Sequence, residues 1–172
     1  YLLIMLVLLA APAQARLTQS TADSFISANS ADLPVPPAAV WTALLDWGGW
    51  WDPAHSYSRV PGAMMLQAEA GGVLIERWPG GSVAHASVLM VMPASVLRLS
   101  GGFGPLQALP VGAILEFSLK AQGTGTSVMM TYRVAGNATS GLDTLAAPVD
   151  AVMSAAFQRL ARHAGSGKPA GQ

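Results

Sequence analysis

No cysteine occurs in this 172-residue chain, and charged residues make up only 10% of it. The first absence excludes disulfides, thiolate nucleophiles and Cys-ligated metals, so core packing alone must hold the fold. The second lies well below the roughly 25% charged of an average soluble domain. Nine Lys and Arg balance nine Asp and Glu. Without a basic excess there is no field to hold a phosphate backbone, so nucleic acid is not an expected partner. Near-zero net charge also leaves little repulsion between copies, and a weak homodimer is expected on that ground. Nucleophile elbow, phosphate loop and dinucleotide fingerprint are all missing. "GGFGPLQ" at 101–107 is rich in glycine, but it lacks the Lys-Ser/Thr pair of a phosphate loop and precedes no helical pattern. No internal repeat and no domain linker interrupt the chain, whose length suits one domain with a real core.

What is present begins with "YLLIMLVLLAAPAQA". An apolar run followed by Pro12 and the small-x-small triplet Ala13-Gln14-Ala15 reads as a secretory signal peptide, truncated at its start and cut after Ala15. A periplasmic or secreted protein is therefore expected, with no stable membrane insertion once the signal is removed. Residues 21–163 are expected to form the folded domain and 164–172 a disordered tail.

Within the domain, residues 21–30 read as a first strand. "PPAAVWTALLD" follows, with Pro36 and Pro37 in the first turn of an amphipathic helix. Gly48-Gly49 and Pro53 leave "WGGWWDPA" room only for a short second helix or turn. From Tyr57 to Val134 the texture is β, with segments separated by Gly and Pro at hairpin spacing. Val83, His85, Ser87, Leu89 and Val91 share one strand face by alternation, and Leu115, Phe117 and Leu119 another. Leu142, Leu145, Ala146, Val149, Val152, Met153, Ala156, Phe157 and Leu160 form a helical stripe, with Pro148 expected to kink it or mark an irregular turn.

This order, with the W-W-D-P turn of "PPAAVWTALLDWGGWWDPAHSYS", the stretch "GGVLIERWPGGSVAHASVLMVMPASVLRLSGGFGPLQ", and "GTSVMMTYRVAG" leading to "GLDTLAAPVDAVM", resembles the helix-grip domains of the SRPBCC superfamily. That superfamily includes START, Bet v 1-like, polyketide cyclase and Hsp90-ATPase-activator-homology domains. The resemblance implies an α+β fold: a curved antiparallel sheet of about six to seven strands around a long C-terminal helix, with two short helices after the first strand. It also implies an apolar ligand cavity between sheet and helix.

"WGGWWDPAHSYS" at 47–58 gathers three of the five tryptophans with a tyrosine and a histidine. In the helix-grip layout this stretch sits over the open end of the grip. Trp50, Trp51, His55 and Tyr57 are therefore candidate pocket residues, and Trp47 belongs to the core. Phe117 on its strand face and Val149 and Met153 on the helical stripe are further candidates. Glu76 shares a face with Leu74 and Trp78, itself a candidate, and a hairpin through Pro79-Gly80-Gly81 would bring Glu76 beside His85. A carboxylate there orients and charges an imidazole, which suits acid–base chemistry or the anchoring of a ligand's polar group. Arg98 is a further partner for Glu76, while Gln107 and Tyr132 are candidate polar points in the cavity. His55, His85 and Glu76 match no metal motif, and neither metal nor cofactor is expected. The reading that follows is an exported protein binding a small hydrophobic molecule, lipid-like or aromatic. Its rivals are a cyclase-like enzyme using Glu76 and His85, and a protein-interaction module.

Overall fold

A computed structural model describes residues 14–166. Most of the expected signal peptide and of the expected tail lies outside them. Eight strands form one antiparallel sheet in the order β1-β2-β8-β7-β6-β5-β4-β3. They are β1 (Gln14–Thr21), β2 (Ser24–Leu33), β3 (Met64–Leu66), β4 (Val73–Trp78), β5 (Gly81–Met92), β6 (Val96–Ser100), β7 (Gly112–Gln122) and β8 (Gly125–Ala135). Two short helices, α1 (Pro37–Leu45) and α2 (Trp47–Trp50), separate β2 from β3, and α3 (Leu142–Gly165) closes the chain.

The concave core follows from alternation. Ala113, Leu115, Phe117 and Leu119 of β7, and Val128, Met130, Tyr132 and Val134 of β8, are all buried against Leu142, Ala146, Val149, Met153 and Phe157 of α3 and their neighbours. α3 packs mainly over β1 and β2, and α1 and α2 bridge it to the other side of the sheet. It runs unbroken through Pro148, with Asp143 in its first turn and Arg162 in its last, each sign matching the helix dipole.

The structure corrects the sequence reading at three points. The sheet has eight strands, because residues 14–21 pair antiparallel with β2. "QARLTQST" carries no apolar alternation to announce a strand, since β1 is a sheet edge exposed from Thr18 onward. The short helices consequently follow the second strand. Finally, Leu89 does not share the inner face with His85. Between β4 and β5 the register slips, pairing Leu74 with Ala86 but Ile75 with Ala84, so His85 occupies a bulge. Beyond it Ala86 and Val88 point inward and Leu89 stands half exposed. One extra residue in a ladder flips every later side chain, which strict alternation cannot anticipate.

Candidate functional site

Two glycines let the aromatic turn fold against its neighbours. A Cβ on Gly48 would press on the backbone of Gly62, and one on Gly49 would collide with Asp46 and the ring of His163. Around them the turn is bolted to α3. Asp46 holds His163 Nε2 at 2.9 Å, and Arg159 Nε donates to the Trp50 carbonyl at 2.8 Å. Asp52 accepts the Ala54 N–H at 2.9 Å and so caps the 3₁₀ turn Pro53–His55.

The four large aromatics of this stretch divide by role. Trp47 and Trp50 are core: their rings lie 4.5 Å apart, and Trp50 donates its indole N–H to Leu44. Trp51 touches both, 5.7 Å from Trp47 and edge-on to Trp50 at 6.0 Å, and faces Phe103 at 5.5 Å. Tyr57 is half exposed, and its hydroxyl donates to the Gly104 carbonyl at 3.4 Å. Trp51, Phe103 and Tyr57 thus come from two loops that meet over the end of the sheet.

Beneath them is a cavity of about 520 Å³. One wall is Trp51, His55, Ser56 and Tyr57; the second is Phe103, Gly104, Pro105 and Ala108; the third is Pro148, Val149, Val152 and Met153 of α3. No Lys, Arg, Asp or Glu lines it, and its polar groups gather at the His55–Tyr57 side. Of the expected site residues, Trp51, His55, Tyr57, Val149 and Met153 are therefore at the cavity. Trp50 and Phe117 are not, because both are sealed in the core. Trp78 instead lies against Gly81, where a Cβ would strike its ring.

Glu76 and His85 do come together, with Nε2 of His85 2.9 Å from Oε2 of Glu76. Neither lines the main cavity. Glu76 has no exposed surface, and its carboxylate also accepts the N–H groups of Tyr57 at 3.1 Å and Ser58 at 2.6 Å. Burial pushes this carboxyl up, but the hydroxyl and N–H of Ser58, the imidazole and the Tyr57 N–H outweigh it and hold it at about 2. An ionised carboxylate accepts only, so His85 Nε2 carries the shared proton. The His85 ring then packs against Phe103, nearly parallel at 5.9 Å, and against Tyr57 at 5.8 Å.

Arg98 is not a partner of Glu76. It pairs with Glu116 at 2.6 Å, because β6 lies beside β7 and places the two directly opposite. Tyr132 is no free polar point either. Its hydroxyl donates to the Gly101 carbonyl at 3.0 Å and accepts the Phe103 N–H at 3.1 Å, so it braces the second wall from behind. Burial pushes its phenol up. Gln107 donates to the Ala84 carbonyl at 2.9 Å and, with His85, borders a separate cavity of about 250 Å³. Among the described residues no group of three His, Asp or Glu side chains is placed to hold a metal ion.

Sequence reasoning missed Phe103, Ser56, Gly104, Pro105, Ala108, Pro148 and Val152. The loop "GGFGPLQ" carried the signal as a Gly-Pro loop with a single phenylalanine, but the polar Gln107 drew the assignment. Val152 lay in the helical stripe, and Pro148 stood out only as a break in the helical pattern.

No protein-family model matches this sequence, and no curated protein sequence does. Solved structures do match in shape. The solution structure of CalU16 from Micromonospora echinospora superposes with a TM-score of 0.61 at 16% identity, over 95% of this chain and 81% of that one. Ara h 8.0201 gives 0.56 at 15% identity over 83% and 99%. Protein MLL2253 from Mesorhizobium loti gives 0.57 at 16% over 80% and 95%. At such identities the likeness speaks to architecture alone, and with the eight-stranded antiparallel sheet and long closing helix it establishes that the chain has a helix-grip fold.

Proposed function

We propose that this protein binds a small, predominantly apolar molecule in the 520 Å³ cavity between α3 and the two aromatic loops. The observation that carries the reading is the chemistry of the lining: aromatic and aliphatic walls, polar groups on one side, and no charged carboxylate, ammonium or guanidinium. The volume falls within the roughly 300–1,000 Å³ of ligand pockets. Apolar burial supplies affinity, and His55, Ser56 and the Tyr57 hydroxyl supply orientation. A ligand with a permanent charge would leave it unpaired against these walls, so neutral ligands are favoured. Export to the periplasm fits the apolar start of the chain, and among the described residues no helix is long and apolar enough to cross a membrane.

Binding is favoured over cyclase-like catalysis by the saturation of Glu76. Its oxygens are occupied by two backbone N–H groups and an imidazole, and no part of the pair borders the main cavity. The test is native mass spectrometry of the protein from its own envelope, with titration of the emptied protein by the neutral fluorophore N-phenyl-1-naphthylamine. A retained apolar mass, and a fluorophore affinity lowered about ten-fold or more by Val152→Trp, are expected. A protein that holds neither, and binds no fluorophore, overturns the reading.

A further inference from the structure

Two walls of the cavity come from loops remote in sequence, 51–58 and 103–108, and only one direct hydrogen bond joins them. It is the bond from Tyr57 to Gly104, long at 3.4 Å and on a side chain half in solvent. Such a bond contributes little on its own. Behind it stands a better-built connection. His85 is 4% exposed and wedged between Phe103 of one loop and Tyr57 of the other, with ring centroids 5.9 and 5.8 Å away. The wedge cannot turn freely, because Glu76 holds its Nε2. The same carboxylate holds the backbone of the first loop at Tyr57 and Ser58. Directly after that clamp Arg59 adopts a left-handed backbone, φ 57°, which a side chain with a Cβ takes up only at a cost. Ser56 and Ser58 hydroxyls accept the N–H groups of Arg59 and Val60 at 3.1 and 3.0 Å and hold the strained turn closed.

We infer that Glu76 and His85 are positioning residues: the carboxylate pins the first loop and the ring it orients sets the gap between Tyr57 and Phe103, which fixes the cavity's mouth. The inference rests on the binding reading above and gives the buried pair a role in it. Ligand affinity then depends on the shape of the side chain at 85 more than on its capacity to exchange a proton.

Two substitutions separate these properties. His85→Phe keeps a flat ring between the loops and removes the donor to Glu76. His85→Gln keeps a donor and removes the ring. With N-phenyl-1-naphthylamine as probe, His85→Phe is expected to bind within about three-fold of the parent despite a lower melting temperature. His85→Gln is expected to bind about ten-fold or more weakly while melting close to the parent. Nuclear Overhauser contacts between the Tyr57 ring and Gly104 should persist in the first and vanish in the second. The reverse order of affinities, or affinity losses that follow melting temperature alone, would overturn the inference. If His85→Phe fails to fold, His85→Gln decides alone: a folded variant with parental affinity and intact Tyr57–Gly104 contacts refutes the wedge. The Overhauser readout needs no ligand, so a parent that binds no probe sinks the binding reading and still leaves the wedge under test.

Discussion

Acidification should remove one identifiable share of this protein's stability, that of Glu76. Its carboxyl ordinarily titrates near 4.5, and the folded protein holds it at about 2. The pKa is lowered, so the ionised form is favoured by folding. Its contribution is complete above pH 4.5 and disappears as the pH falls through 2. Between those values the unfolded chain binds the proton and the folded one does not, so stability drops by up to about 1.4 kcal/mol per pH unit from this group. The whole interval is worth about 3 kcal/mol, a large share of the roughly 5–15 kcal/mol that stabilises a typical domain. The assay is chemical unfolding at steps from pH 7 to pH 2, on the parent and on Glu76→Gln. The variant lacks the charge, and its amide turns a donor toward one of the two N–H groups or the imidazole. It should therefore be less stable by about 3 kcal/mol at pH 7, with the gap closing toward pH 2. Other carboxylates titrate in both proteins and cancel in the difference. A gap that stays constant across the range would refute the argument, because Glu76 would then contribute through shape alone.

Other expectations follow from single contacts. Tyr132→Phe leaves the Phe103 N–H and the Gly101 carbonyl without their partner. It should cost about 1–3 kcal/mol in denaturant unfolding and weaken fluorophore binding, while an unchanged midpoint would show that the brace is idle. Gly49→Ala forces a methyl into the Asp46–His163 pair and should cost about 1–3 kcal/mol, with the pair's loss visible as a shifted His163 resonance. Arg59→Gly relieves the left-handed backbone and should stabilise by roughly 1 kcal/mol; a destabilised variant would place Arg59's value in its side chain.

The legible part of the fold was the part with a repeating pattern. The stripe of α3, the alternation of β7 and the proline-led start of α1 each state their buried face in the residues themselves. β1 was illegible because an edge strand buries little and needs no apolar alternation. The Glu76–His85 pairing was readable from the hairpin that joins β4 to β5, but the bulge at His85 was not. It takes the ring out of phase with Leu89 and brings it against Tyr57 and Phe103. The site was half legible for a related reason. Residues with obvious chemistry, Glu76, Tyr132 and Gln107, turn out to hold loops in place, whereas the walls are made by Phe103, Pro105, Ala108 and Pro148, whose types say nothing of a pocket in isolation.

The position of the cavity follows from how α3 is fastened. Its C-terminal half is anchored by Arg159 to the Trp50 carbonyl and by His163 to Asp46, while Phe157 and Leu160 are fully packed. Its N-terminal half seats Leu142, Ala146 and Val149 in the core, and Pro148, Val149 and Val152 line the cavity. Two aromatic loops roof that gap, and they are held from below by Glu76 and from behind by Tyr132. A helix with no proline at this point would present a backbone N–H there, hydrogen-bonded within its own turn. Pro148 instead offers an apolar ring and no donor. The consequence is a division of labour along one helix. The anchored half carries stability, and in the other half Pro148 and Val152, which lie outside the buried core, can change the cavity's lining at little cost to the fold.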